Sequence, residues 1–275
     1  MTHLHRTVRL LPVLCFAAAA AIASAAEEAP KPFVPVEGQA GKDVVWVPTP
    51  HVLIEKMLDL AMLTEQDFVM DLGSGDGRAI IAAARRGARG IGVEYNPAMV
   101  ELARRTAEKE GVADKAQFVQ GDMYEADISK ATVLALFLLP ENLERLKPKF
   151  LALPPGSRIV LNGFDIPEWT ADKTERAEGD CGAWCTAHLY VVPAKVGGTW
   201  KFPGGELTLQ QKYQALSGTF SVNGKHTPIK DARMKGDRIF FTVSGVTYVG
   251  RVNGNAMTGR TKGGAAGMWH AARAF

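Results

Sequence analysis

The stretch Asp71–Arg78, read D-L-G-S-G-D-G-R, limits this chain more tightly than any other. It follows the apolar run Phe68-Val69-Met70 and precedes Ala79-Ile80-Ile81-Ala82-Ala83-Ala84, so a strand enters a glycine loop and the loop enters a helix. Gly73 lets the chain turn sharply off the strand. Gly75 lets backbone come close to a ligand, and Gly77 lets the helix pack tightly on the sheet. Such a loop grips a nucleotide-like ligand beyond the carboxyl end of the strand.

What surrounds the loop repeats its logic. Phe68–Leu72, Gly90–Glu94, Gln117–Gln120, Thr132–Leu138 and Ser157–Asn162 read as short, continuously apolar strands. Between them, Arg78–Arg86, Pro97–Glu110 and Pro140–Leu153 read as helices, and Val52–Met62 as a helix ahead of the first strand. This alternation predicts an α/β fold, a doubly wound and mostly parallel sheet covered on both faces. His188–Val192 reads as a late strand closing that sheet.

After Pro193 the composition changes. Residues 197–275 hold 14 of the 28 glycines, and short β-rich runs alternate with turns at Glu206–Tyr213, Thr219–Val222, Arg238–Val243, Thr247–Val252 and Met268–Ala272. Asn223-Gly224 and Asn253-Gly254 are hairpin signals. A small antiparallel β barrel or sandwich follows. The charge divides in the same place, with 19 Lys/Arg against 26 Asp/Glu over residues 27–196, and 11 against 3 over residues 197–275. The basic tail is suited to facing the acidic body or an anionic surface such as membrane headgroups. Neither a motif nor a basic helix supports nucleic-acid binding.

Residues 1–26 read as an export signal: Arg6 and Arg9, the apolar run Leu10–Ala23, then small residues before Glu27. The expectation is a periplasmic or secreted protein with a cleaved signal, and the alternative is an anchor through residues 10–26. Residues 27–48, with Pro30, Pro32, Pro35 and Pro48, read as a linker. The organisation is then signal 1–26, linker 27–48, α/β domain 49–195 and β domain 196–275. Beyond the signal, Cys181 and Cys185 remain. They suit a small disulfide or two free thiols; a zinc site with His188 lacks a fourth ligand.

Three carboxylates narrow the ligand. Asp71, Glu94 and Asp122 stand at or beside the ends of the first three strands. Glu94 can accept from both ribose hydroxyls. Asp122 can accept from an adenine amino group, with Met123 offering apolar contact to the ring. Asp71 precedes the glycines, where it would repel a pyrophosphate and attract an ammonium group. Adenosine bearing an amino acid, S-adenosylmethionine, is the ligand most consistent with all three, with a nicotinamide dinucleotide a distant alternative.

The motifs V-W-V-P-T-P (Val45–Pro50), D-L-G-S-G-D-G-R, G-V-E-Y-N-P (Gly92–Pro97), G-D-M (Gly121–Met123) and F-L-L-P-E-N-L (Phe137–Leu143) resemble class I S-adenosylmethionine-dependent methyltransferases. Within that class they resemble the small lysine methyltransferases whose substrates are the c subunit of ATP synthase and the adenine nucleotide translocase. The resemblance spans about residues 43–194. It implies S-adenosylmethionine as cofactor, held by Thr49, Asp71, Gly73, Ser74, Gly75, Glu94, Asp122 and Met123, with Pro48-Thr49-Pro50 over its methionine end. It also implies a lysine in a protein as substrate. Leu138-Leu139-Pro140-Glu141 stands where enzymes that methylate planar amines carry Asn-Pro-Pro-aromatic, which argues against base or glutamine methylation. Glu141 suits either a first-turn helix acid or a group orienting the lysine, and His51 either a base or a packing histidine. Asp165 suits the pocket or a turn. No catalytic base is assigned. A binding module that keeps this fold without turnover is the competing expectation, because methyl donor is scarce outside the cell.

Overall fold

The computed structural model describes residues 1–3, 33–263 and 267–274. Residues 4–26 of the expected signal therefore lie outside the described residues. Residues 33–275 form one compact unit. Among the described residues no helix is long and apolar enough to cross a membrane.

The first sheet has seven strands: β1 (Phe68–Leu72), β2 (Arg89–Glu94), β3 (Ala116–Gln120), β4 (Val133–Leu136), β5 (Arg158–Asn162), β6 (Lys173–Arg176) and β7 (Thr186–Val191). They lie in the order β3-β2-β1-β4-β5-β7-β6. The first five are parallel; β7 runs antiparallel to β5 and to β6. The late strand is thus present but does not close the sheet. Lys173-Thr174-Glu175-Arg176 pairs outside it, and this edge strand has no apolar run because its side chains face water.

Helices α1 (His51–Leu60), α2 (Arg78–Arg85), α3 (Pro97–Lys109) and α4 (Pro140–Phe150) cover the two faces. Leu53, Ile80 and Ala103 belong to the core on one face; Leu143, Leu146 and Phe150 belong to the core on the other. All six residues Ala79–Ala84 of α2 are buried, and four of them are alanine, which lets this helix sit close to its neighbours. Asn96 starts α3 by accepting a hydrogen bond from the Ala98 N–H at 2.9 Å, ahead of Pro97 in the first turn.

The second sheet holds β8 (Gly198–Phe202), β9 (Gly205–Lys212), β10 (Ala215–Val222), β11 (Lys225–Pro228), β12 (Lys230–Lys235), β13 (Arg238–Val243), β14 (Val246–Asn253), β15 (Ala256–Lys262) and β16 (Met268–Arg273). Successive antiparallel pairs run from β12 to β16 and on to β8 and β9, and β9 pairs with β10 to close a barrel. β11 and β12 follow each other along one side of β10. Strands β8, β11, β12 and β15 have no counterpart among the sequence expectations. Both hairpin signals produce hairpins, but the second turn is displaced by one residue. Val222 pairs with Lys225 around Asn223-Gly224, whereas Asn253 pairs with Ala256 around Gly254-Asn255. Trp200, Leu207, Ile239, Phe241 and Met257 fill the barrel. It meets the first sheet where the Tyr213 ring stacks on Trp169 at 5.3 Å and the Ala194 N–H donates to the Gly236 carbonyl at 2.9 Å.

Candidate active site

The strand order reverses between β1 and β4, and ligands in such sheets bind at the carboxyl ends beside this switch point. A cleft of about 1000 Å³, counting its solvent-open mouth, lies there. Thr49, Asp71, Gly73, Ser74, Gly75, Glu94, Asp122 and Met123 all line it. The structure therefore brings the whole candidate set to one place.

Asp71 is only 7% exposed, and among the described residues no donor reaches its carboxylate. Burial, with the charges of Glu94 and Asp76 nearby, pushes its carboxyl well above the usual range. A cationic group placed beside this carboxylate would favour its charged form. Ser74 is equally buried, and its hydroxyl also lacks a partner. Glu94 is held by the glycine loop, its Oε2 accepting from the Gly75 N–H and its Oε1 from the Asn96 N–H, each at 2.9 Å. These bonds orient the carboxylate while leaving lone pairs for a diol.

The glycine loop is bent as its sequence requires, with φ of +75°, +55° and +82° at Gly73, Gly75 and Gly77. At Gly75 a Cβ would stand 2.5 Å from Trp46 Nε1. Residues 39–48, read as part of the linker, thus form a wall of the pocket. Residues 36–46 make a small hairpin, closed by bonds from the Gly38 N–H to the Trp46 carbonyl at 2.8 Å and from the Trp46 N–H to the Gln39 carbonyl at 2.9 Å. It carries Lys42, whose Nζ donates to Asp122 Oδ2 at 2.6 Å and lies 5.3 Å from the centre of the Tyr95 ring. That bond, reinforced by the Tyr124 N–H donating to Oδ1, holds the Asp122 carboxyl below its usual range. Sequence reasoning singles out neither Lys42 nor Trp46 nor Tyr95 for a role. Trp46 and Tyr95 stand inside the motifs V-W-V-P-T-P and G-V-E-Y-N-P, and Lys42 stands in none.

On the other side of the pocket, Thr49 is fixed by two neighbours. Its Oγ1 accepts from Asn162 Nδ2 at 3.3 Å, and its carbonyl accepts from Arg78 Nη1 at 3.0 Å. Arg78 is itself held by Asp76 at 2.6 Å. Asn162 is 1% exposed and its Oδ1 has no partner. Phe137, at the end of β4, also lines the pocket. The remaining candidates sit elsewhere. His51 is exposed at the start of α1, and Glu141 is an exposed acid in the first turn of α4. Asp165 lies outside the pocket lining and accepts from the Tyr190 hydroxyl at 2.8 Å. Cys181 and Cys185 form a disulfide, and among the described residues no group of three candidate metal ligands occurs.

Comparison with known proteins bears on this arrangement. Residues 71–173 match the family model described as the ANTKMT methyltransferase domain. A protein-lysine N-methyltransferase of Saccharolobus islandicus is 41% identical over 152 residues, covering 54% of this chain and 94% of that protein. A lysine N-methyltransferase of Rattus norvegicus, named for the c subunit of ATP synthase, is 32% identical over 164 residues, covering 59% of this chain and 69% of that protein. Among solved structures, an RNA methyltransferase from Salinibacter ruber in complex with S-adenosyl-L-homocysteine superposes with a TM-score of 0.51 at 45% identity. It covers 55% of this chain and 96% of that one.

Proposed function

The chain belongs to the family of S-adenosylmethionine-dependent protein-lysine N-methyltransferases, and on that premise we propose that it methylates the side-chain amine of a lysine in a protein. It is an enzyme, and its cofactor is S-adenosylmethionine. The observation that carries the site assignment is the partnerless, buried Asp71 beside the glycine loop, with Glu94 and Asp122 around the same cleft.

The residues fit the cofactor in charge and shape. In our reading Asp71 and the Gly73-Ser74-Gly75 backbone receive the amino-acid end, Glu94 the ribose hydroxyls, and Asp122 with Met123 the adenine. Thr49 borders the methionine end. When bound, S-adenosylmethionine supplies a methyl group already activated on a cationic sulfur. The protein's part is then to align the amine, keep water out and keep the amine neutral. The hairpin 36–46 roofs the cleft through Trp46. Phe137, which lines the cleft, offers an apolar approach that favours the uncharged amine over the ammonium. No side chain needs to take the lysine proton while the mouth stays open to solvent.

The experiment is titration calorimetry with S-adenosylmethionine, S-adenosylhomocysteine and NAD, followed by methyl transfer from labelled cofactor to envelope protein extract and to RNA. Binding of both adenosyl ligands, none of NAD, and label on protein lysines is the expected result. Label on RNA alone would replace the lysine reading. The net negative charge of residues 27–196 favours the protein outcome, because a polyanion is repelled by such a surface. Nothing in the comparisons favours a binding module without turnover.

Two readings about the cell belong with this one. We propose that residues 1–26 direct export, so the mature protein should begin near Ala26 or Glu27 by mass spectrometry; an intact Met1 would make the segment an anchor. We also propose that the basic barrel touches anionic membrane headgroups. Arg233, Lys235, Arg238, Arg251, Arg260 and Lys262 are all exposed on adjacent strands β12–β15. Flotation with phosphatidylglycerol vesicles, lost in high salt and absent with phosphatidylcholine alone, tests it.

A further inference from the structure

Three aromatic rings far apart in sequence meet beside the cofactor cleft. The Trp184 ring lies 4.8 Å from that of Phe137, edge-on, and 5.5 Å from that of Phe164. Phe137 and Phe164 are 6.1 Å apart. All three are only partly buried, so the cluster presents ring surface outward rather than closing as core. Phe137 also lines the cleft, which connects the cluster to the cofactor site proposed above.

The chain has built this contact with some care. Phe137 directly follows β4, and Phe164 follows β5 in Asn162-Gly163-Phe164-Asp165. Gly163 has φ +70°, and a Cβ on it would stand 3.0 Å from the Trp184 ring. The indole therefore lies against bare backbone that no other residue would leave open. Trp184 itself sits in the loop between β6 and β7, within the five-residue ring closed by the Cys181–Cys185 disulfide. Its backbone N–H donates to the Cys181 carbonyl at 2.9 Å, and both cysteines are buried. The loop lies beyond residues 71–173, the part that matches the family model. Glu178 and Asp180, both exposed, precede the disulfide, and Asp165, 68% exposed, follows Phe164. Aromatic faces bordered by carboxylates attract an alkylammonium group: the acids draw it in, and the ring faces hold it and its methylated forms by cation–π contact.

We infer that Phe137, Phe164 and Trp184 form the subsite that receives the lysine side chain, and that the Cys181–Cys185 disulfide positions Trp184 in it. This rests on the lysine reading above. The aliphatic stem lies along the rings, and the amine reaches the cleft past Phe137. Trp184 is a specificity residue for the alkylammonium, and the two cysteines are positioning residues that act through it.

The test uses the full chain saturated with S-adenosylhomocysteine, with binding of that cofactor product measured separately for every variant. The probes are a short alanine peptide with one central lysine and the same peptide carrying trimethyl-lysine, followed by calorimetry and by tryptophan fluorescence. Wild type binds both. Trp184→Ala weakens peptide binding about ten-fold, in the range of a desolvated cation–π contact, and shifts cofactor-product affinity less than about two-fold. Trp184→Phe retains most of the affinity, which a merely structural loss would not allow. Reduction with a phosphine, or Cys181→Ser with Cys185→Ser, weakens wild type as Trp184→Ala does, and reduction has no further effect on Trp184→Ala. Unchanged peptide affinity in Trp184→Ala would overturn the inference, as would a wild type that binds cofactor product tightly but neither peptide. Loss of cofactor-product binding in wild type would instead sink the cofactor site.

Discussion

The two sheets of this protein handle polarity in opposite ways. Every buried polar or charged residue among the described ones, from Thr49 to His188, lies in the α/β part, and the buried set of the barrel is apolar. In the α/β part the cleft is lined by buried Asp71, which no donor among the described residues reaches, and by Ser74 with its hydroxyl unpaired; Asn142, Arg158, Asn162 and Trp169 each keep a buried atom unpaired outside that lining. In the barrel, the Trp200 indole is wholly buried but donates to the Val196 carbonyl at 2.8 Å. Among the described residues, the barrel's unpaired buried side-chain atom is the indole nitrogen of Trp269, on an otherwise apolar ring. Unpaired buried polar groups oppose folding. The pair that lines the cleft, Asp71 and Ser74, stands at the switch point of the first sheet, where stability is given up for binding.

This contrast can be broken by substitution. The largest effect belongs to the barrel: Trp200→Ala should destabilise the protein by about 3–5 kcal/mol in denaturant melts, as loss of a packed tryptophan does, and leave cofactor affinity of the folded fraction unchanged. A matching loss of affinity would mean that the two sheets are not separable in this way. Next comes Asp71→Asn, which removes the charge that meets the ammonium group. Cofactor affinity should fall roughly 10- to 100-fold by calorimetry, the value of a charged hydrogen bond, and the apoprotein should become more stable.

The same carboxyl gives a pH signature. Its folded pKa is raised above the unfolded value, so the folded apoprotein holds a proton that the unfolded chain releases. Its contribution to stability is therefore present below the unfolded pKa, and is lost as pH rises from there through the raised folded value. Melting wild type and Asp71→Asn across the acid-to-neutral range should show the gap between them widening with pH. A constant gap would contradict the buried, partnerless state.

Smaller still is Gly75→Ala. At φ +55° with Trp46 against it, the methyl must displace the hairpin 36–46 and strain the loop, at about 1–2 kcal/mol, read as weaker cofactor binding with a faster off-rate. The smallest effect is expected for Lys42→Met. Its bond to Asp122 is between partly exposed groups that solvent screens, so stability at neutral pH should barely move in denaturant melts, with the Asp122 titration observed by NMR moving up toward the ordinary carboxylate range.

How far the sequence carried differs between the same two regions. Parallel strands buried on both faces spell themselves out as apolar runs, and Phe68–Leu72 or Ser157–Asn162 could be read directly. The strand-end acids were legible because each stands next to such a run. Barrel strands alternate inward and outward, and Lys230–Lys235 or Ala256–Lys262 place so few large apolar side chains inward that the pattern vanishes into polar sequence. The hairpin 36–46 was hidden by its glycines and by the flanking Pro35 and Pro48, which read as linker although backbone hydrogen bonds fold it. The aromatic cluster was illegible for another reason. Phe137, Phe164 and Trp184 carry no shared spacing, and only the topology brings β4, β5 and the β6–β7 loop together.

The closure of the barrel has one more consequence. Its first strand, β8, pairs with its last, β16, so the two ends of the domain emerge side by side. A domain whose ends coincide can be spliced onto a host, or cut from it, without threading either chain through the other. The Saccharolobus relative is covered almost whole by an alignment that takes in only 54% of this chain, so its sequence has little left over for a counterpart to such a cassette. Such a barrel can be joined to a catalytic body through neighbouring chain ends, with no strand of the first sheet interrupted.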